Sequence, residues 1–270
     1  MSHSSQPIGI FDSGVGGLTV AHALTQLLPH EKIIYFGDVA HYPYGEKSPA
    51  AIQAYAIKIC DMLLKQDVKL ILIACNSASA AAHELVKEYV GSKAKVVNVI
   101  DPTIEYLREN FANKKVGLIA TRATVNSDLY RKKIEELKLN IHLESLATPL
   151  LAPMIEEGYA EDDILKQTLK NYLSHASLQD IDALLLGCTH YPIIKDQINQ
   201  YYDHKVSLID NSEITARAVK GLLEYHHLLN SAISTPHHQF YVSDYTESFV
   251  AHARFFFPAA LNFEHYPLWD

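Results

Sequence analysis

Short apolar runs alternate along the chain with longer stretches in which apolar residues recur at helical spacing. Runs of this kind, rich in Ile, Leu and Val, are typical of strands buried on both faces. The predicted strands are 8–11, 33–36, 70–74, 96–99, 116–120, 141–145, 183–186 and 206–209. The clearest predicted helices are 49–66, 77–90, 126–137 and 162–175. This alternation predicts an α/β fold with mainly parallel sheets and helices on both faces.

Two of the predicted strands end in the same local pattern, an apolar run followed by a small residue, a cysteine and polar residues. The two stretches are Ile73-Ala74-Cys75-Asn76-Ser77 and Leu186-Gly187-Cys188-Thr189-His190. In open α/β sheets, ligands bind at the carboxyl ends of the strands. We therefore expect both thiols to face one pocket.

The spacing of the two cysteines predicts two similar α/β domains with the active site in the cleft between them. The first domain comprises residues 1–100 together with 211–270, and the second comprises residues 101–210. The segment after residue 211 has a helical and then an extended pattern and is short for a third domain. We expect it to pack back on the first domain.

Composition narrows the classes of partner. The chain has 31 acidic and 23 basic side chains and a net charge of −8, which argues against nucleic-acid binding but allows a small anionic substrate. No apolar run approaches the roughly 18 residues of a membrane span, and the first residues lack the features of a signal peptide. Three cysteines without an export signal predict free thiols and a cytoplasmic location.

A glycine-rich turn follows the first predicted strand. Its glycines, Gly14, Gly16 and Gly17, do not fit the dinucleotide pattern G-x-G-x-x-G, because Thr19 stands at the third glycine position. The stretch 45–48 does not fit the phosphate-binding G-K-[ST] pattern either. A turn of backbone N–H groups at a helix N-terminus remains, able to hold an anion such as a carboxylate. A tight turn without a ligand is the alternative.

Two thiols facing one pocket suit proton transfer at both faces of a single carbon. A thiolate is a usable base and a thiol a usable acid, with an ordinary pKa of about 8.5 that neighbouring groups shift. His190 is the candidate helper for Cys188, and Asp12, at the end of the first strand, is the candidate helper for Cys75. Cys60 follows helical spacing and is interpreted as a core residue.

Other chemistries have weaker support. A zinc site built from Cys75, Cys188 and His190 lacks the spacing of zinc ligands. A redox disulfide lacks C-x-x-C, and a serine nucleophile lacks G-x-S-x-G.

Five stretches together match one known family, in order and spacing across nearly the whole chain. The chain resembles the glutamate racemases, which are cofactor-independent amino-acid racemases. The matching stretches are 11–18, 43–48, 74–79, 153–156 and 186–192.

The resemblance implies a role for each matching residue. It implies two pseudo-symmetric domains, Cys75 and Cys188 as the acid and base residues, and Asp12 and His190 as their supports. It implies no cofactor, and a product, D-glutamate, that supplies bacterial peptidoglycan synthesis. The residues that match substrate-binding positions are Asp12, Ser13, Tyr44, Gly45, Asn76, Ser77, Thr121, Thr124, Glu156, Thr189 and His190.

Two positions depart from the family. Ser77 stands where Thr is usual and keeps the hydroxyl group, whereas His41 stands where Arg is common and removes a permanent charge. A two-cysteine racemase acting on aspartate or another substrate stays open, as does a protein that binds a carboxylate without chemistry. The sequence leaves a homodimer open as well.

Overall fold

The computed structural model describes residues 3–138, 140–232, 235–245, 247–258 and 261–270. Met1 and Ser2, part of the stretch interpreted as lacking a signal peptide, lie outside these ranges. The strands in the described ranges are β1 (Ile8–Asp12), β2 (Ile33–Gly37), β3 (Leu70–Ile73), β4 (Lys95–Asn98), β5 (Lys115–Ala120), β6 (His142–Ala147), β7 (Ala183–Gly187), β8 (Ser207–Asp210), β9 (Gln239–Val242) and β10 (Phe263–His265).

Helices connect most of these strands. They are α1 (Leu18–Leu27), α2 (Pro49–Lys65), α3 (Asn76–Val90), α4 (Ile100–Asn110), α5 (Arg122–Ser127), α6 (Leu129–Glu136), α7 (Leu151–Glu156), α8 (Asp163–Leu173), α9 (Lys195–Tyr201), α10 (Asn211–Tyr225) and α11 (Glu247–Phe256). Short 3-10 turns cover His3–Ser5, Val39–His41, Tyr44–Glu46, Tyr159–Glu161, Ala176–Leu178 and Tyr191–Ile194.

The strands form two parallel sheets. One has the order β10-β9-β2-β1-β3-β4 and the other the order β6-β5-β7-β8, and every described strand pair is parallel. Strands β1, β2, β3 and β7 are buried along their whole length, because helices cover both faces of a parallel sheet. The prediction of an α/β fold with mainly parallel sheets is confirmed.

Local sequence explains where the helices begin and end. The Ser48 side chain accepts a hydrogen bond from the Ala51 N–H, and Pro49 occupies the first turn of α2, a common start for a helix. Gly91 ends α3 with φ +55°, a conformation that glycine adopts without strain. The predicted single helix over 126–137 is wrong, because Asp128 has φ +55° and separates α5 from α6. Aspartate tolerates this left-handed conformation better than most residues.

The end of the chain extends the first sheet. Strand β9 pairs with β2, and β10 pairs with β9, so this segment does return to the first sheet. Helix α10, which precedes it, packs against both α1 and α4. The exact division of the chain at residues 100 and 211 stays a prediction.

Candidate active site

The two thiols come together at the carboxyl ends of strands from different sheets. Cys75 follows β3 and caps α3, and Cys188 follows β7. Both residues are buried and line one cavity of about 20 Å³, which is room for about one water molecule. The lining residues are Ser13, Tyr42, Pro43, Tyr44, Gly45, Cys75, Asn76, Ser77, Thr121, Ala152, Cys188, Thr189 and His190.

The cavity gathers most of the site residues predicted from sequence. Ten of them line it directly. The other three, Asp12, Thr124 and Glu156, lie behind the lining and hydrogen-bond to it, as described below. Two larger surface depressions, of about 710 and 530 Å³, contain neither cysteine.

Cys75 has a neutral hydroxyl as its side-chain neighbour. Its Sγ lies 3.8 Å from the Ser13 Oγ. Burial raises the pKa of the Cys75 thiol to about 12, and the charge of Asp12 adds to this effect. The resting form of Cys75 is therefore the protonated thiol, ready to act as an acid.

Cys188 has an imidazole as its neighbour. The Cys188 Sγ lies 3.6 Å from the His190 Nδ1, and the His190 Nε2 lies 2.5 Å from the Glu156 Oε2. Burial alone would lower the pKa of His190, but its hydrogen bonds to Cys188 and Glu156 outweigh burial and raise that pKa well above its ordinary value. A protonated imidazole can donate from both ring nitrogens, and it favours the thiolate form of an adjacent sulfur.

Asp12 takes the anion position of the glycine-rich turn. Its carboxylate accepts hydrogen bonds from the Gly14 N–H at 3.0 Å and from the Thr189 hydroxyl at 3.2 Å. Burial raises the pKa of Asp12 to about 6, against the lowering effect of the nearby His190 charge. The Gly14 N–H of the turn thus binds a carboxylate of the protein itself, and binding of a ligand anion by this turn stays a prediction.

Gly16 gives this turn its close fit to the second sheet. A side chain there would collide with the Thr189 hydroxyl and lie 2.6 Å from the His190 ring. We expect Gly16→Ala to lower kcat about tenfold, because His190 must move and a small misplacement of a catalytic group costs that much or more. Steady-state kinetics would measure the change.

Gly221 offers the matched control for this substitution. It lies within α10 with nothing inside 4 Å of an added Cβ, so Gly221→Ala should leave kcat unchanged and raise the free energy of unfolding by about 0.5–1 kcal/mol. Equal kcat values for both variants would contradict the packing argument.

Hydroxyl groups from both sheets meet across the cleft. The Ser77 Oγ lies 2.8 Å from the Thr121 Oγ1 and 3.4 Å from the Thr124 Oγ1. Ser77 lies in the first turn of α3, whereas Thr121 caps α5. Serine at position 77 therefore places a hydroxyl group in the cavity lining, within hydrogen-bond distance of Thr121.

Tyr44 is held by a buried carboxylate that lies behind the cavity. The Tyr44 hydroxyl donates to the Asp38 carboxylate at 2.6 Å. Ser243 and Trp269, both from the end of the chain, donate to the same carboxylate at 2.8 and 2.7 Å. His41, at the position where the family commonly has Arg, also contacts the Asp38 carboxylate, at 3.0 Å through its Nδ1.

Several residues of the site were missed by the sequence prediction. Tyr42 and Ala152 line the cavity, and Tyr130 and Asn211 hydrogen-bond to Asn76. Asn211 lies two residues after the predicted strand 206–209, among polar residues expected at the edge of the sheet, but it was not assigned to the site. Tyr130 lies inside a helix and carries no comparable signal.

Within the described ranges, no three His, Cys, Asp or Glu side chains are arranged to hold a metal ion. No helix in the part of the chain that the structure describes is both long and apolar enough to cross a membrane.

Known proteins share both the sequence pattern and the fold. The family described as Asp/Glu/Hydantoin racemase matches residues 18–219. The glutamate racemase of Neisseria meningitidis serogroup C is 41% identical over 239 residues, which is 88% of each chain. The crystal structure of glutamate racemase from Francisella tularensis in complex with D-glutamate is similar with a TM-score of 0.91 and 41% identity, covering 98% of this chain and 99% of that one. A glutamate racemase isoform from Bacillus anthracis has a TM-score of 0.92, with 31% identity and 98% coverage of both chains.

Proposed function

The chain belongs to the Asp/Glu/Hydantoin racemase family, and from this premise we propose that it interconverts L-glutamate and D-glutamate by proton transfer between Cys75 and Cys188. One observation carries the proposal: thiols from two different sheets line the same cavity. The similar proteins named above are glutamate racemases, and one of them holds D-glutamate. The substrate is accordingly a small molecule with two carboxylates.

Each cysteine transfers a proton at one face of the substrate α-carbon. One thiolate removes the α-proton from one face of the substrate, and the opposite thiol delivers a proton to the other face. The roles exchange in the reverse direction, so each sulfur serves as base for one enantiomer. The negative charge that develops on the substrate is stabilised by fixed donors around the cavity, and no cofactor is proposed.

The helpers of the two thiols differ in charge. When Cys188 is the thiolate, the His190 imidazolium stabilises it from 3.6 Å, and Glu156 stabilises the imidazolium. When Cys75 is the thiolate, the Asp12 charge makes that sulfur a stronger base, since a nearby negative charge favours proton uptake. A strong base suits the weakly acidic α-proton.

The cavity lining supplies the groups for substrate recognition. Asn76 and Ser77 lie at the N-terminus of α3, where backbone N–H groups favour an anion. Thr121 and Thr124 extend the same set of donors from the second sheet. Ser13, Tyr44, Gly45, Thr189 and His190 complete the proposed substrate contacts.

Incubation with L-glutamate in deuterium oxide, without added cofactor, tests the function. Loss of the α-proton signal together with decay of optical rotation is the expected result. A parallel incubation with L-aspartate decides between the two substrates. Folded protein with reduced thiols that exchanges neither amino acid would refute racemisation and favour a carboxylate-binding role.

The proposed reaction fits a biosynthetic role. D-glutamate would supply peptidoglycan synthesis in a bacterial cytoplasm. All three cysteines are free, and the two at the cavity must stay reduced to carry protons. A reducing compartment provides that condition.

The raised pKa of Asp12 predicts an acid limit to activity. Protonation of Asp12 near pH 6 removes the charge that strengthens the Cys75 base. We therefore expect kcat/KM to fall tenfold per pH unit below about pH 6, the behaviour of one essential ionised group. In Asp12→Asn this limb should disappear and the plateau should be lower, and an unchanged limb would assign it to another group.

The same pKa shift affects stability. The folded state binds the Asp12 proton more tightly than the unfolded state does, because burial raises the pKa from 3.8 to about 6. The contribution of Asp12 to stability is therefore most favourable below pH 3.8 and is lost as the pH rises through about 6. The loss is about 3 kcal/mol for a shift of this size.

A further inference from the structure

The amide of Asn76 is held from behind by two residues that no part of the mechanism uses. The Tyr130 hydroxyl donates to the Asn76 Oδ1 at 2.8 Å, and the Asn211 Nδ2 donates to the same atom at 3.1 Å. All three side chains are buried. They come from α3, α6 and α10, so residues far apart in sequence converge on one carbonyl oxygen.

The other end of the Asn76 amide has no protein partner. Its Nδ2 is buried and makes no hydrogen bond to any described residue, although Asn76 lines the cavity. A buried amide nitrogen with two unused N–H groups is costly unless a ligand or water accepts from it. The cavity is the place where such an acceptor can sit.

The observed direction of this amide is the one that suits a carboxylate in the cavity. Tyr130 and Asn211 donate to the Asn76 Oδ1, which leaves the Asn76 N–H groups for an acceptor in the cavity. Reversal of both amides would exchange the unpartnered atoms between Asn76 and Asn211 and turn the Asn76 oxygen to the cavity, so a carboxylate bound there favours the observed direction. Burial also raises the pKa of Tyr130, which keeps its hydroxyl protonated and available to donate.

We propose that Tyr130 and Asn211 are positioning residues that hold the Asn76 N–H groups towards the cavity, where they bind a carboxylate of the substrate. The proposal rests on the proposed function for the identity of that substrate. The orientation of the Asn76 amide decides the interaction, because a reversed amide would present its oxygen to the substrate carboxylate and repel it. The N-terminus of α3 adds further donors on the same side.

The test compares KM and kcat for glutamate in three variants. Tyr130→Phe removes one of the two donors without changing the shape of the side chain, and KM should rise about tenfold. Asn211→Asp replaces a donor with a group that only accepts, so it should draw the Asn76 Nδ2 away from the cavity and raise KM by about thirtyfold or more. In both variants kcat should change less than KM. Tyr202→Phe is the matched control, because its hydroxyl donates to the Leu178 carbonyl at 3.4 Å, away from the cavity lining, and KM should stay at the wild-type value.

Thermal unfolding of each variant distinguishes an effect on the position of the Asn76 amide from a loss of protein stability. A merely structural role would lower the folded fraction and the apparent kcat while KM stayed constant. A KM within twofold of wild type in folded Tyr130→Phe would overturn the proposal, as would tighter glutamate binding by Asn211→Asp. If Asn211→Asp does not fold, Tyr130→Phe decides alone. If the wild-type protein does not racemise glutamate, the proposed function fails, and calorimetric titration of the same variants with D-glutamate still measures the effect of the amide.

Discussion

Alanine at either Cys75 or Cys188 is expected to lower kcat for glutamate racemisation about 10³-fold, within the range that one positioned acid or base contributes. Each sulfur serves one face of the α-carbon, so the remaining thiol cannot complete an inversion. It can still remove and return a proton on its own face. Each variant should therefore exchange the α-proton of one enantiomer with solvent deuterium, and the two variants should exchange opposite enantiomers.

Cys60→Ala is the control for these substitutions. Cys60 is buried in α2 and does not line the cavity, so its loss should lower the free energy of unfolding by about 1 kcal/mol and leave kcat unchanged. Proton exchange followed by NMR shows which enantiomer each variant deprotonates, and chiral separation of the products gives kcat for racemisation. A single cavity variant that keeps a tenth of the wild-type kcat would refute the two-thiol mechanism.

Glu156→Gln should have the second largest effect. The raised pKa of His190 depends on its hydrogen bonds to Cys188 and Glu156. The neutral amide of glutamine cannot replace the negative charge of the Glu156 carboxylate. We expect kcat to fall about 100-fold, comparable to the loss of a charge-assisted hydrogen bond in a buried site. The sign of the pH effect follows: with a lower pKa, His190 loses its proton earlier, and the alkaline limb of kcat/KM moves to lower pH.

The chain contains a matched pair for this test as well. The His142 Nε2 lies 2.9 Å from the Glu144 Oε1 on the surface of β6, so Glu144→Gln removes the same kind of contact away from the cleft. Its kcat and pH profile should equal those of the wild type. An alkaline limb that stays in place in Glu156→Gln would show that His190 does not set it.

The sequence revealed those parts of the fold and site that depend on local pattern. The eight predicted strands are all present within two residues of their predicted bounds, because buried parallel strands are continuous apolar runs. Both cysteines and His190 could be placed since they directly follow such a run. Strand β10 could not, because it has only three residues, of which Phe263 alone is buried.

The local sequence pattern could not predict contacts between residues that are far apart in the chain. Tyr130 meets Asn76 across 54 residues and Asn211 meets it across 135, and no periodicity marks either residue. The partner of His190 came only from the family resemblance, which pointed to Glu156 without giving its contact. The break at Asp128 was missed because aspartate is also acceptable inside a helix.

The hydrogen bonds to Asp38 impose an order of assembly during translation. Tyr44 is made six residues after Asp38, but Ser243 and Trp269 follow only after 205 and 231 residues. When the nascent chain has left the ribosome as far as β8, Ser243 and Trp269, half of the side-chain partners of Asp38, have not yet emerged. Burial of the Asp38 carboxylate is unfavourable at that stage, because a buried carboxylate needs its hydrogen-bond donors. The carboxylate that fixes Tyr44 can be fully sequestered only after the final strands emerge, which delays a finished pocket until synthesis is nearly complete.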